Sequence, residues 1–300
     1  GAVTSSPVGV TRLIISNGSL FALDGDRTLN TLVRFNANAT ANFIGINSIT
    51  LNALEGTTSG NNTTITNSLP TGKLLTLNAA AGTFTGTEAT SARTIVFNGG
   101  GDTIMNASIT DSTGGAQINL TYQGYGSLTL GGSNGASTYR GPTTISSGTL
   151  KVGSTDAIPN GVGKGDVTMN PGAGLTATLD LNGFDQTVNG LIANSAGTAN
   201  IDNSSATPVT FTFGSQDQAA NLIGGVTNSG GGALSLVKTG TAAATMIQGP
   251  FTYTGSTTVN GGSLTISSDI NGTTAISVGA GAFLAFTEGL SGSALVTSIN

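Results

Sequence analysis

The sequence predicts an all-β chain wound as a right-handed parallel β-helix, a β-solenoid of roughly 12 to 15 coils. Three observations carry that expectation. A fifteen-residue phrase occurs twice, a short apolar–polar–apolar triplet recurs, and no segment keeps apolar residues at helical spacing for three turns. The phrase Thr138-Tyr139-Arg140-Gly141-Pro142-Thr143-Thr144-Ile145-Ser146-Ser147-Gly148-Thr149-Leu150-Lys151-Val152 returns 114 positions later as Thr252-Tyr253-Thr254-Gly255-Ser256-Thr257-Thr258-Val259-Asn260-Gly261-Gly262-Ser263-Leu264-Thr265-Ile266. Seven of the fifteen positions are identical, and Ile145/Val259, Thr149/Ser263 and Val152/Ile266 exchange like for like. Repetition of this kind belongs to a chain built by stacking similar units.

Taken in chain order, the triplets come first. Ile49-Thr50-Leu51-Asn52-Ala53, Leu75-Thr76-Leu77-Asn78-Ala79 and Leu179-Asp180-Leu181-Asn182-Gly183 share one pattern, with Ile95-Val96-Phe97-Asn98-Gly99 as an all-apolar variant. Period-two alternation makes each a half-buried strand, and Asn before Gly or Ala predicts a turn. The intervals from Leu51 to Leu77 and from Leu77 to Phe97 are 26 and 20 residues, the length of one coil of a three-sided solenoid. Ser127-Leu128-Thr129-Leu130 is the next alternating strand. Within the repeated phrase, Thr143-Thr144-Ile145 predicts a strand, Ser146-Ser147-Gly148 a corner and Thr149-Leu150-Lys151-Val152 a second strand. The second copy keeps Gly at the end of its corner, Asn260-Gly261-Gly262. The residues that define the repeat are Tyr139, Gly141, Gly148 and Leu150, and their counterparts Tyr253, Gly255, Gly262 and Leu264. At about 4.8 Å per coil, such a stack would be about 60 to 70 Å long. A β-sandwich or jelly roll is the rival arrangement of short strands and Gly-rich turns.

Gly126-Ser127-Leu128-Thr129-Leu130 leading to Thr138-Tyr139-Arg140-Gly141, then Thr143-Thr144-Ile145 through Val152, resembles the passenger-associated transport repeat of bacterial autotransporters. The stretch from Leu179 to Leu191 is similar to the segment found after that repeat in such proteins, and a second unit runs from Gly231 to Ile266. Arg140 and Pro142 depart from the family pattern, and Ala243-Ala244-Thr245-Met246-Ile247 is a degraded Leu-Thr-Leu strand. The resemblance covers about residues 107 to 290. It implies a secreted or cell-surface protein that projects, adheres or assembles. The expected organisation is one continuous solenoid over residues 1–300, with irregular coils over 1–106, a first repeat unit over 107–224 and a second over 225–300. Gly1-Ala2-Val3 suits a mature or trimmed start. The absence of amphipathic strands before Asn300 suits a passenger fragment or a free-standing protein using the same repeat.

Composition narrows the function. Glycine is 47 of 300 residues, charged residues are 8% and apolar residues 37%, which fits neither collagen nor a disordered chain. A net charge of −5, with Arg12, Arg27, Arg34, Lys73, Arg93, Arg140, Lys151, Lys164 and Lys238 scattered singly, argues against nucleic acid. Few basic residues also leave few trypsin-type cleavage points, as suits life outside the cell. No apolar run reaches a spanning helix, so insertion of this chain into a membrane is not expected. With neither His nor Cys, triads, thiolate chemistry, disulfides and the usual zinc sites are excluded.

Chemistry would therefore fall to carboxylates. Asp24-Gly25-Asp26 could flank a glycosidic bond or hold calcium, but reads more simply as a solvated turn. Asp180 and Asp185 flank the Asn182-Gly183 turn, with Asp180 expected to face solvent. Gly99-Gly100-Gly101-Asp102-Thr103-Ile104 is one imperfect copy of a calcium nonapeptide, and no Gly-rich turn has a phosphate-loop ending. Outward Thr129, Thr143, Thr257 and Thr265 suggest an ice-binding face, weakened by Lys151 and Asp180 beside them. Tyr139 and Tyr253 would either stack on a sugar or cap a coil corner. The expectation is a structural, adhesive protein without catalytic residues, metal or cofactor. Its expected partners are a second copy, through uncapped strand edges at the solenoid ends, and a surface polysaccharide or host or neighbouring cell surface. The alternative is a β-helix protein that binds or cleaves polysaccharide.

Overall fold

The structure, a computed structural model, describes residues 12–36, 38–57, 62–79, 83–86, 91–131, 136–193, 196–247, 249–267, 270, 272–287 and 296–299. The expected mature start at Gly1 and the terminal Asn300 lie outside the described residues. The chain divides into two compact units, residues 1–142 with 148–150, and residues 143–147 with 151–300. Each is a parallel β-solenoid. A three-residue 3-10 turn, Ser215–Asp217, is the one helical element among the described residues, and no described helix is long and apolar enough to cross a membrane.

In the first unit, strands stack in three columns. One holds Gly18–Ala22, Thr40–Gly45, Asn62–Asn67, Arg93–Asn98 and Ile118–Tyr122. A second holds Arg27–Leu29, Ile49–Thr57, Leu74–Ala79, Asp102–Met105 and Ser127–Leu130. The third holds Arg12–Ile15, Leu32–Phe35, the end of Ile49–Thr57, Thr83–Gly86 and Ser108–Thr110. Alternation sets what each strand buries: Leu75 and Leu77 point inward while Thr76 is half-buried. Phe35 and Phe84 meet edge to face in the interior, with ring centroids 6.1 Å apart.

The second unit repeats the plan. Its longest column runs Thr143–Ile145, Val167–Met169, Leu191–Ala193, Ala220–Thr227, Ala243–Ile247, Ser263–Ile266 and Phe283–Phe286. Another holds Gln186–Thr187, Val209–Phe213, Leu234–Lys238, Thr257–Val259, Ile276–Val278 and Val296–Ile299. Thr176–Asp180, Thr198–Asp202 and the end of Ala220–Thr227 form the third. The degraded Ala243–Ile247 segment is a strand nonetheless, because its neighbours supply the ladder.

The two units together make about ten turns, fewer than the roughly 12 to 15 expected. Two coils are longer than the sequence spacing suggested: Thr63 stacks on Ile95 after 32 residues and Ile192 on Asn221 after 29. The 20-residue interval is also not a coil. Leu77 stacks on Met105, whereas Phe97 lies in a different column, on Ile65.

The triplets resolve into two behaviours. Asn182 turns the chain with φ 50° as expected. Asn52 and Asn78 instead continue their strands, in Ile49–Thr57 and Leu74–Ala79. Their side chains form a ladder up the first unit: Asn52 Nδ2 donates to Asn30 Oδ1 at 2.7 Å, Asn78 to Asn52 at 2.9 Å and Asn106 to Asn78 at 2.8 Å. Asn52 and Asn78 each gain one donor and one acceptor from the coils beside them, which a solitary turn would not provide.

Candidate functional site

The repeat-defining residues lie at coil corners and at the start of the strands that follow them. Tyr139 and Tyr253 are each 1% exposed, so neither ring offers a face for stacking on sugar. Burial pushes the Tyr253 hydroxyl up to about 12, against the opposing hydrogen bond with Thr257. That hydroxyl lies 2.6 Å from Thr257 Oγ1, which is 3.2 Å from Thr273 Oγ1, and Thr273 donates to the Gly255 carbonyl at 2.7 Å. The tyrosine is thereby tied to the corner that its own repeat glycine turns.

Gly141 and Gly255 mark backbone crossings. Gly141 N donates to Ile118 O and Gly255 N to Leu234 O, both at 3.0 Å. A Cβ at either position would stand 2.3 Å from that same carbonyl oxygen. Gly148 and Gly262 adopt φ of 66° and 63°, which only glycine takes freely. Leu150 and Leu264 fill the interior beside them.

Lys238, one of the singly scattered cations of the sequence, is completely buried. Its Nζ donates to the carbonyl oxygens of Thr239, Gly240 at 3.1 Å and Gly261 at 3.3 Å. Loss of hydration lowers its pKa, while nearby Asp217 pushes the other way. The sequence does carry a signal for this burial: Leu234, Leu236 and Lys238 share one parity, so the lysine occupies an inward position.

The acids serve as staples between coils. Asp26 Oδ1 accepts Ser48 N at 2.9 Å and lies 3.9 Å from Lys73 Nζ, at an exposed turn. Asp102, in the nonapeptide-like stretch, accepts the backbone N and Oγ of Ser127 at 2.9 and 2.8 Å. Asp185 accepts Thr210 N at 2.7 Å. The solvent-facing position expected for Asp180 is corrected: it is 2% exposed. Its carboxylate accepts Asn182 N at 2.9 Å, Ser204 N at 3.0 Å and Ser204 Oγ at 2.6 Å, and meets Lys151 Nζ at 3.4 Å. The next coil covers the outward side of the strand, which alternation within one strand does not reveal. Asp202, in register with Asp180, repeats the motif on Ser229 and Thr227. Burial alone would raise its pKa, but these bonds hold it below the usual carboxylate range. Glu55 is held low in the same sense by Arg34 and Arg12, and Asp111 by Ile118 N and Arg140.

One further expectation changes. Thr143 and Thr257 are buried, sharing the inward parity of Ile145 and Val259, so they contribute nothing to a flat threonine face. Among the described residues, no three acids gather as a metal-holding group.

The passenger-associated transport repeat matches residues 120–152 and 236–266, segments that contain the two corners described above. Over 210 residues, 68% of its length, the chain is 32% identical to a protein named adhesin BmaC autotransporter from Brucella suis biovar 1 (strain 1330). The matched region is 6% of that curated relative's length. No solved structure matches the chain.

Proposed function

We propose that this chain, an all-β solenoid carrying two passenger-associated transport repeats, works at the bacterial cell surface or in the extracellular space as a non-enzymatic adhesive scaffold. The observation that carries the reading is the commitment of its carboxylates. Asp102, Asp180, Asp185 and Asp202 are spent on hydrogen bonds to the coil beyond their own, which suits a scaffold better than acid–base chemistry. The similarity to a protein named an adhesin supports binding as the task. Its partners are a surface polysaccharide or a host or neighbouring cell surface. Beads coated with the purified chain should bind bacterial or host cells above beads coated with an unrelated acidic β-protein. Equal binding to both would overturn the adhesive reading.

A finer proposal is end-to-end association of copies. Among the described residues, Gly18–Ala22 is paired on one side only, by Thr40–Gly45, and Phe283–Phe286 only by Ser263–Ile266. Unpaired strand edges template further pairing, and Phe21 and Phe283 are exposed on these strands. Electron microscopy across a concentration series should show fibres that lengthen with concentration. Strictly monomeric particles at the highest concentration would remove this part of the proposal.

A further inference from the structure

The second unit carries a recess of about 230 Å³ built from three successive coils. Residues 161–166 lead into Val167–Met169, Asn189 leads into Leu191–Ala193, and Ser215–Asp217 leads into Ala220–Thr227. Those strands stack in register, so the recess stands on a rigid ladder. Buried Asn189 is its hub. It donates to the carbonyls of Gly161 and Lys164 at 2.9 and 3.0 Å, and accepts Gly161 N at 2.8 Å and Ser215 Oγ at 2.7 Å. With all of its hydrogen-bonding groups engaged, Asn189 fixes the walls and leaves recognition to other residues.

Those residues are Lys164, Asp166, Gln216 and Gln218, with Val162 at the rim. Asp166 is oriented by Gly190 N, which donates to its Oδ1 at 2.8 Å. Gln216 and Asp217 are consecutive non-glycine residues with left-handed φ of 59° and 57°. Such a pair is strained for L-residues and persists only where surroundings impose it. Here Asp217 Oδ1 accepts Thr241 N from the next coil at 2.7 Å, pinning the turn. The outcome is an exposed Gln216 side chain set at the recess.

We propose that this recess is a saccharide subsite that takes one neutral sugar residue of a surface polysaccharide. The proposal rests on the adhesive reading above and gives that reading a ligand class and a place. The volume is below the about 300–1,000 Å³ of sites that enclose a whole small ligand, so it suits one ring of a longer chain. Lys164 and Asp166 balance in charge, which favours neither a phosphate nor a cation. Two primary amides, a carboxylate and an ammonium supply the mixed donors and acceptors that vicinal hydroxyls require. Val162, 85% exposed, offers an aliphatic edge to the C–H face of a ring.

The test titrates the intact chain with mannan, xylan and dextran, using polygalacturonate as the charged control. At least one neutral polymer should bind, and the double variant Gln216→Ala/Gln218→Ala should weaken it at least tenfold with an unchanged melting temperature. Val162→Asp, at the rim, should also weaken it. Binding that survives all three substitutions, or polygalacturonate binding in preference, would overturn the proposal. So would an absence of binding to every polymer while the chain still attaches to cells, which leaves the adhesive reading standing. Loss of both would mark failure of that reading itself.

Discussion

At Gly255 the space for a side chain is already filled by the Leu234 carbonyl oxygen, 2.3 Å from where a Cβ would stand. Gly141 meets Ile118 O at the same distance in the first copy. The repeat keeps glycine there because two backbones cross at hydrogen-bonding distance, and no rotamer change relieves the clash. Gly255→Ala should therefore cost about 2–3 kcal/mol in denaturant unfolding. Gly100→Ala is the control. It has nothing within 4 Å of a built Cβ and no left-handed φ, so its effect should stay within about 0.5 kcal/mol. Equal losses at the two positions would contradict the crossing argument.

The asparagine ladder belongs to the scale of the stacked strand. Asn78 donates to Asn52 and accepts from Asn106, so Asn78→Ala removes two side-chain bonds and should cost about 1–2 kcal/mol. Asn30→Ala, at the end of the run, removes one and should cost about half as much by the same measurement. The sequence made these strands legible through Ile49-Thr50-Leu51 and Leu75-Thr76-Leu77, because inward and outward residues alternate within a few positions. It made the ladder illegible, because Asn followed by Ala is equally good turn chemistry and only the coil above decides. Asp180 hid for the same reason: its cover comes from Ser204 on the next coil. The recess was further out of reach, since residues 161–166, Asn189 and Gln216 meet only once three coils are stacked. Lys238 is different, because its parity with Leu234 and Leu236 places it inward from the strand alone.

For the molecule as a whole, acid is the predicted weakness. Glu55, Asp111 and Asp202 titrate below the ordinary carboxylate values of 4.5 for Glu and 3.8 for Asp. A carboxylate whose pKa is lower folded than unfolded contributes stability above its unfolded pKa and loses it as pH falls through the folded one. Melting temperature should thus hold steady from about pH 7 to about pH 5 and fall below about pH 4. High salt should weaken the share from the Arg12 and Arg34 pairs with Glu55 and from the Arg140 pair with Asp111, and leave that of Asp202, which is held by amides and hydroxyls. A melting temperature unchanged down to pH 2 would refute the staple account.

The coil-to-coil hydrogen bonds also govern how the chain ages. Asn-Gly pairs deamidate when the glycine nitrogen attacks the asparagine side-chain carbonyl, and they are among the thermolabile points of proteins. The nitrogens of Gly161, Gly183 and Gly190, each following an asparagine, donate instead to Asn189, Asn203 and Asp166 at 2.8, 3.1 and 2.8 Å. In these three pairs the attacking atom is occupied for as long as the fold lasts. Mass-spectrometric mapping after long incubation at mild alkaline pH should find Asn160, Asn182 and Asn189 intact in folded chains and converted in unfolded ones. Equal conversion in both would show that the fold does not protect its own covalent structure.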